Sequence, residues 1–264
     1  MTFACRLCGS ADHLRLYYTQ GAQRQFRFYR CGACGLVNYD LSGGLNQEKY
    51  ADVWPDPFDS GSKTNRTQAA SCAWLQRYVD PPARVLDIGC GNGRLLYLLR
   101  EAGFTVRGLE LSPFLAENIK RELDIEVDVA DFQQFHAAGE RFDVVILRHV
   151  LEHLADGRSA LRSINALLVD GGLALLEFPN IEALDLKVKR LLDRLGIHRK
   201  SYPADYVPGH CNEYSLHPFE RMARECGFEL LRWQTYSNKG GDAGLVQKLN
   251  MGNKARVLIR KRAA

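Results

Sequence analysis

The stretch "RHVLEHL" at 148–154 places His149, Glu152 and His153 within four positions of one another. On one helical turn, side chains three and four apart share a face, so this trio could move a proton or hold a metal ion. The same spacing also suits the wet side of an amphipathic turn, with Val150, Leu151 and Leu154 on the opposite face. A second constellation lies near the amino terminus. Cys5 and Cys8 in "CRLCG", and Cys31 and Cys34 in "CGACG", form two C-x2-C pairs. Each pair presents two thiolates at a chain reversal eased by Gly9 or Gly35, which predicts one tetrahedral zinc site. Four sulfur ligands close the shell and leave no position for water or substrate, so the expected zinc is structural.

The chain that must position these groups has 264 residues, 46% of them hydrophobic and 25% charged. This is globular composition, and the length leaves room for a main domain and an appendage. The expected division is a zinc ribbon at 1–40, a linker and leading helix at 41–80, and the main domain at 81–264. No run approaches the ~18 apolar residues of a membrane span. The start "MTFACRLCGS" lacks the basic and apolar regions of a signal peptide, so the expected location is cytoplasmic. A reducing compartment favours metal binding or burial over disulfides. Cys72, Cys90, Cys211 and Cys226 have no ligand spacing and are expected as small buried hydrophobes. A net charge of +4 without a long basic run gives no case for nucleic acid.

Within the ribbon, "LRLYYT" and "QFRFYR" read as strands. Residues 62–79 have helical spacing. Beyond Pro81-Pro82 the pattern becomes regular: strand "RVLDI", glycine loop "GCGNG", helix "RLLYLLREAG", strand "FTVRGLEL". A helix after Pro113, strands "IEVDVA" and "FDVVIL", a helix over 158–169 and a strand "GGLALLEF" continue the alternation. The expected fold is α/β, a Rossmann-like doubly wound sheet whose ligand lies at the carboxyl ends of the strands. Residues 181–200 predict a basic amphipathic helix. "ARVLIRK" predicts an antiparallel last strand paired as a hairpin with the one before, across an irregular insertion "YSNKGGDAGLVQKLNMGN".

Gly89, Gly91 and Gly93 form the loop, and Asp87 stands two residues before it. A carboxylate there would repel a pyrophosphate but suits a ligand with an ammonium and a sulfonium. Glu110, about 20 residues after the loop begins, is placed to accept ribose hydroxyls. Asp131 and Phe132, after the third strand, could frame an adenine.

In order, "VLDIGCGNG", "GLELS", "VADF", "FDVVILRHVLEHL" and "LLVDGGLALLEFPN" resemble the motifs of class I S-adenosylmethionine-dependent methyltransferases over residues 80 to about 260. The resemblance implies that Asp87, Gly89 and Gly91 line the methionine end, Glu110 holds the ribose, and Asp131 with Phe132 holds the adenine. Methyl transfer is an in-line displacement, so the chain supplies alignment and, for a protonated acceptor, a base. The candidates are His149, His153 and His210, with Glu152 beside them; Tyr50 and Tyr214 are further candidates to line the pocket. H-x-x-E-H also spells a zinc peptidase, but there it lies within a long helix, whereas here it follows a buried strand.

Some class I members, the ubiquinone-pathway and small-RNA 2′-O-methyltransferases among them, carry E-x-x-E-H here and in some cases a downstream histidine, together holding magnesium or a related ion. Glu152, His153 and His210 match those positions; His149 replaces the first glutamate and admits a softer second divalent ion. The two cysteine pairs are similar to those of sugar C-methyltransferases of antibiotic and surface-polysaccharide pathways, which implies a small-molecule acceptor: a nucleotide-linked sugar, or a natural-product or polysaccharide precursor. A ribosomal-RNA guanine methyltransferase is the rival, although its ribbon ends in histidine. A non-catalytic zinc adaptor is opposed by the intact cofactor motifs. The ribbon could bind substrate, close over the site or mediate a homodimer.

Overall fold

The computed structural model describes residues 3–46, 53–135, 139–197, 200–237, 249 and 251–263. Tyr50 and most of the insertion expected at 236–253 lie outside them.

A seven-stranded sheet forms the centre, in the order β10-β11-β8-β7-β4-β5-β6. Strands β4 (Arg84–Ile88), β5 (Thr105–Glu110), β6 (Val127–Val129), β7 (Phe142–Arg148) and β8 (Leu168–Pro179) pair in parallel with their neighbours. The last strand, β11 (Lys254–Lys261), inserts antiparallel between β8 and β10 (Phe228–Tyr236). The central strands β4, β7 and β8 are mostly apolar because both their faces are covered, whereas the edge strands β6 and β10 carry polar, partly exposed residues, and the period of two sorts the side chains between the two faces. Val85, Val144, Ile146, Leu175 and Leu258 face one core with Trp74, Leu95 and Leu99 from α1 (Lys63–Leu75) and α2 (Arg94–Glu101). Leu86, Ile88, Val145, Leu147, Leu176 and Val257 face the other, with α4 (Gly157–Leu167) and α6 (Leu216–Glu225).

Local chemistry fixes the helix starts. Ser62 caps α1 by accepting from Asn65 N, and Asp156 caps α4 by accepting from Ser159 N. Helix α3 (Pro113–Leu123) has Ser112 as its cap and proline in its first turn. The leading helix ends at Leu75 rather than 79, and the helix expected over 181–200 is confined to α5 (Leu184–Arg194). Residues 168–169, expected in a helix, begin β8 instead, where Leu168 pairs with Phe142.

The cysteine module builds a second sheet from β1 (Leu14–Gln20), β2 (Phe26–Cys31) and β3 (Val37–Tyr39). Its fourth strand, β9 (Asn212–Glu213), comes from the far end of the chain and pairs antiparallel with β3. Cys5, Leu7, Leu14, Tyr29, Cys31 and Leu36 join the core that contains β4, β7 and β8 side chains, so one apolar cluster spans both sheets.

Candidate functional site

Strand order reverses between β4 and β7, and a crevice forms where neighbouring strands send their connections to opposite faces. The glycine loop and the histidine turn both leave the sheet there. Asp87 is 3% exposed at the end of β4, and its Oδ1 is buried without a hydrogen-bond partner. Burial pushes its carboxyl up to about 7, against the pull of Arg148. An orphaned buried carboxylate is costly unless a cationic or donor group meets it, which is what the expected ammonium would supply.

Gly89, Gly91 and Gly93 all have positive φ. At Gly89 the geometry permits nothing larger, because a Cβ would stand 2.6 Å from Val150 Cγ2 in the histidine turn. A Cβ at Gly91 would meet nothing within 4 Å, so that backbone faces open space. Glu110 ends β5 with its carboxylate fixed by three backbone donors: Gly91 N at 2.9 Å on Oε2, and Leu111 N at 2.9 Å and Ser112 N at 3.2 Å on Oε1. Each carboxylate oxygen keeps acceptor capacity for a further hydroxyl. Asp131 is exposed and caps a short 3-10 turn by accepting from Gln133 N at 2.9 Å. Phe132 is turned into the main core at 6% exposure. Leu111, outside every motif quoted above except as a spacer in "GLELS", follows Glu110 directly and is 68% exposed. An apolar residue just after a strand-ending acid was the available signal.

The turn itself is not the α-helical turn that its spacing predicts. His149 is left-handed (φ 55), a conformation uncommon outside glycine, and Leu151–His153 form a 3-10 turn. His149 N donates to Glu177 O at 2.7 Å, which extends the strand pairing one residue past β7. The three polar groups still meet. His149 Nδ1 lies 3.1 Å from Glu152 Oε1, while Glu152 Oε2 and His149 Nε2 are buried without hydrogen-bond partners. Burial works to raise the Glu152 carboxyl, but the hydrogen bond and charges of His149, with those of His210 and His153, bring it below its ordinary value. His153 Nδ1 stands 2.6 Å from Gly209 O. A carbonyl only accepts, so Nδ1 carries the proton and Nε2 the lone pair of the neutral ring. Burial lowers the His153 pKa, which favours that neutral form.

His210 joins from a distant segment, its ring 5.0 Å from that of His153 and nearly perpendicular to it. One ligand atom from each of Glu152, His153 and His210 falls within 4.8 Å of the others. Tyr214 does not join them; it is 1% exposed and packs on Phe178 and Phe219. Beneath the turn, Glu177 accepts from Arg148 Nε (2.9 Å) and Tyr236 Oη (2.9 Å) on Oε2, and from Ser71 Oγ (2.6 Å) and Arg256 Nε on Oε1.

In the cysteine module the two knuckles are built alike. Gly9 N donates to Cys5 O and Gly35 N to Cys31 O, both at 2.8 Å, with Gly9 and Gly35 at positive φ. The sulfurs converge: Cys5 Sγ to Cys34 Sγ is 3.5 Å and Cys8 Sγ to Cys31 Sγ is 3.6 Å. Tetrahedral Zn–S bonds of about 2.3 Å put sulfurs roughly 3.8 Å apart, so the four residues fit that ion. Cys72, Cys90, Cys211 and Cys226 are buried, as expected of small apolar side chains.

A family model described as a methyltransferase domain matches residues 64–232. Among similar proteins, the ubiquinone biosynthesis O-methyltransferase of Actinobacillus pleuropneumoniae serotype 5b is 30% identical over 198 residues, covering 70% of this chain and 79% of that protein. The enzyme of the same name from Thiobacillus denitrificans is 30% identical over 206 residues, covering 74% and 85%. Among solved structures, magnesium protoporphyrin IX methyltransferase from Synechocystis PCC 6803 with bound SAH superposes with a TM-score of 0.56 at 19% identity, covering 75% and 84%. An N-methyltransferase from Bradyrhizobium japonicum WM9, in complex with S-adenosyl-l-homocysteine, gives 0.55 at 15% identity, covering 81% and 95%. The strand order, the glycine loop and these matches agree: the chain belongs to the class I S-adenosylmethionine-dependent methyltransferases.

Proposed function

We propose that this enzyme methylates a hydroxyl oxygen of a small molecule and that His153 takes the hydroxyl proton. The observation that carries the reading is the 2.6 Å contact of His153 Nδ1 with Gly209 O, which fixes the tautomer with a basic Nε2 beside Glu152 and His210. S-adenosylmethionine supplies an already activated methyl group, so the chain has to align the acceptor and receive its proton. Asp87 would meet the ammonium, Gly89 and Gly91 the methionine end, and Glu110 the ribose hydroxyls. Leu111, with Asp131 at its side of the crevice, would lie along the adenine; Phe132 supports that wall from the core. Oxygen as acceptor atom is supported by the name of the relatives, ubiquinone biosynthesis O-methyltransferase. The likeness of the cysteine pairs to sugar-modifying enzymes supports nucleotide-linked sugars as the first acceptors to try, and the ribbon is assigned a structural zinc. Incubation with methyl-labelled S-adenosylmethionine and a panel of sugar nucleotides and hydroxylated aromatics should give an O-methyl product by NMR. A C-methyl product would contradict the oxygen reading, and cofactor binding without transfer to any acceptor would favour an adaptor.

A second reading is favoured by the buried, unpartnered Glu152 Oε2 and by the convergence of Glu152, His153 and His210. Those residues would hold a divalent ion that polarises the acceptor hydroxyl. Metal analysis separates the two: one zinc per chain supports the base, and two ions, falling to one in His153→Ala, support the metal.

A further inference from the structure

We infer that the cysteine module is a positioning device for His210, and that Arg6, inside the first knuckle, is the residue through which it acts. The inference rests on the reading that Glu152, His153 and His210 form the working face. His210 lies outside regular structure; on one side Gly209 O meets His153 Nδ1 at 2.6 Å, and on the other its own Nδ1 lies 3.7 Å from Glu213 Oε1, so what grips residues 211–213 bears directly on its place. On the sheet side, Cys211 N donates to Glu152 O at 2.8 Å, Cys211 Sγ reaches His153 O at 3.1 Å, and Asn212 Nδ2 donates to Leu154 O at 2.9 Å. On the ribbon side, Tyr39 N donates to Cys211 O at 2.9 Å, and β9 pairs with β3 in the register Val37 to Glu213.

Arg6 clamps the two together. Its Nη1 donates to Cys211 O at 3.0 Å and Asn212 Oδ1 at 3.3 Å, and its Nη2 to Tyr39 O at 2.6 Å. The knuckle holds Arg6 in turn: its N donates to Asn38 Oδ1 at 3.0 Å, and Asn38 Nδ2 faces Cys5 Sγ at 3.6 Å. A guanidinium fork satisfies several carbonyls only when its own backbone is fixed. Between Cys5 and Cys8, Leu7 and the Cys5 side chain anchor the loop in the shared core, and a metal held by the four thiolates would fix the remaining freedom of the Arg6 backbone. Zinc therefore reaches the transfer site through Arg6 and a two-residue strand, without donating an atom to the reaction.

The test uses the full-length, zinc-loaded protein and its Arg6→Ala and Arg6→Lys variants. Both variants are expected to keep one zinc per chain and the wild-type affinity for S-adenosylhomocysteine. Arg6→Ala should shift or broaden the imidazole NMR signal of His210 while those of His13 and His217 stay, and should speed hydrogen exchange at 211–213. Mn2+, a hard ion that thiolates reject, probes the face itself: loss of such an outer support should weaken it by about tenfold or more in Arg6→Ala, with partial recovery in Arg6→Lys. A wild-type chain that takes no Mn2+ counts against the metal reading alone, and the imidazole signal and exchange then decide. An unchanged His210 signal with unchanged exchange at 211–213 in Arg6→Ala overturns the inference. If Arg6→Ala sheds zinc, Arg6→Lys carries the same comparison.

Discussion

At the scale of single residues, Glu110, Asp87 and Glu152 have different surroundings, and the roles proposed for them follow from those differences. Glu110 takes three backbone donors spread over both its carboxylate oxygens, which hold it still while leaving each oxygen room for a further hydroxyl. Replacing it by Ala should weaken S-adenosylhomocysteine binding by at least about 2 kcal/mol, the scale of charge-assisted hydrogen bonds, in titration calorimetry. Wild-type affinity in that variant would remove Glu110 from the cofactor site. Asp87 is orphaned rather than saturated, so Asp87→Asn should leave the apo fold intact and show its loss only on binding. Glu152 sits among three histidines. With His153 lowered by burial, the acid limb of kcat/KM should fall below the ordinary histidine value of 6.5, since Nε2 stays unprotonated until then. A limb above 6.5 would assign the proton acceptor elsewhere.

At the scale of elements, the glycine loop and the histidine turn are fitted to each other. Val150 occupies the space that any side chain at position 89 would need. Gly89→Ala should therefore destabilise by several kcal/mol, and adding Val150→Ala should restore the steric part while leaving about 1–2 kcal/mol of left-handed strain, as read in chemical denaturation. The Glu177 network beneath the turn sets an acid limit. Arg148 and Arg256 offset burial and hold the Glu177 carboxyl at about 2, below its ordinary 4.5. Its folded-state pKa is depressed, so its contribution is fully present above pH 4.5 and is lost as pH falls toward 2. Glu177→Gln should flatten that acid slope and cost about 3–5 kcal/mol at neutral pH, because two buried guanidinium groups lose their counter-charge.

Much of this level was legible in the sequence. The apolar runs, caps and glycine loop carried their own periodicity, and the acids ending β4 and β5 stood where a doubly wound sheet uses them. The turn is 3-10 rather than α-helical, since spacing alone does not distinguish 3.6 residues per turn from 3.0, nor reveal that His149 is left-handed. Phe132, for which the motif implies an adenine contact, packs its ring in the main core, where an aromatic after a strand is equally at home.

At the scale of the whole molecule, the pairing of β3 with β9 was the least legible feature. Two residues, about 175 positions away from their partner, carry no pattern that sequence could announce. Yet that pairing and the shared core make the ribbon part of the main fold's stability. Given the zinc proposed for the four thiolates, a chelator should lower the unfolding temperature of the whole protein in one transition rather than release a separate module. An unmoved main transition in scanning calorimetry would show the two to be independent. The most direct measurement is single-turnover transfer of labelled methyl from S-adenosylmethionine to the acceptor found in the panel, in wild type and His153→Ala. Loss of a positioned general base should slow the variant by about 10²–10⁴-fold with cofactor affinity unchanged. Transfer at the wild-type rate by His153→Ala would contradict the account.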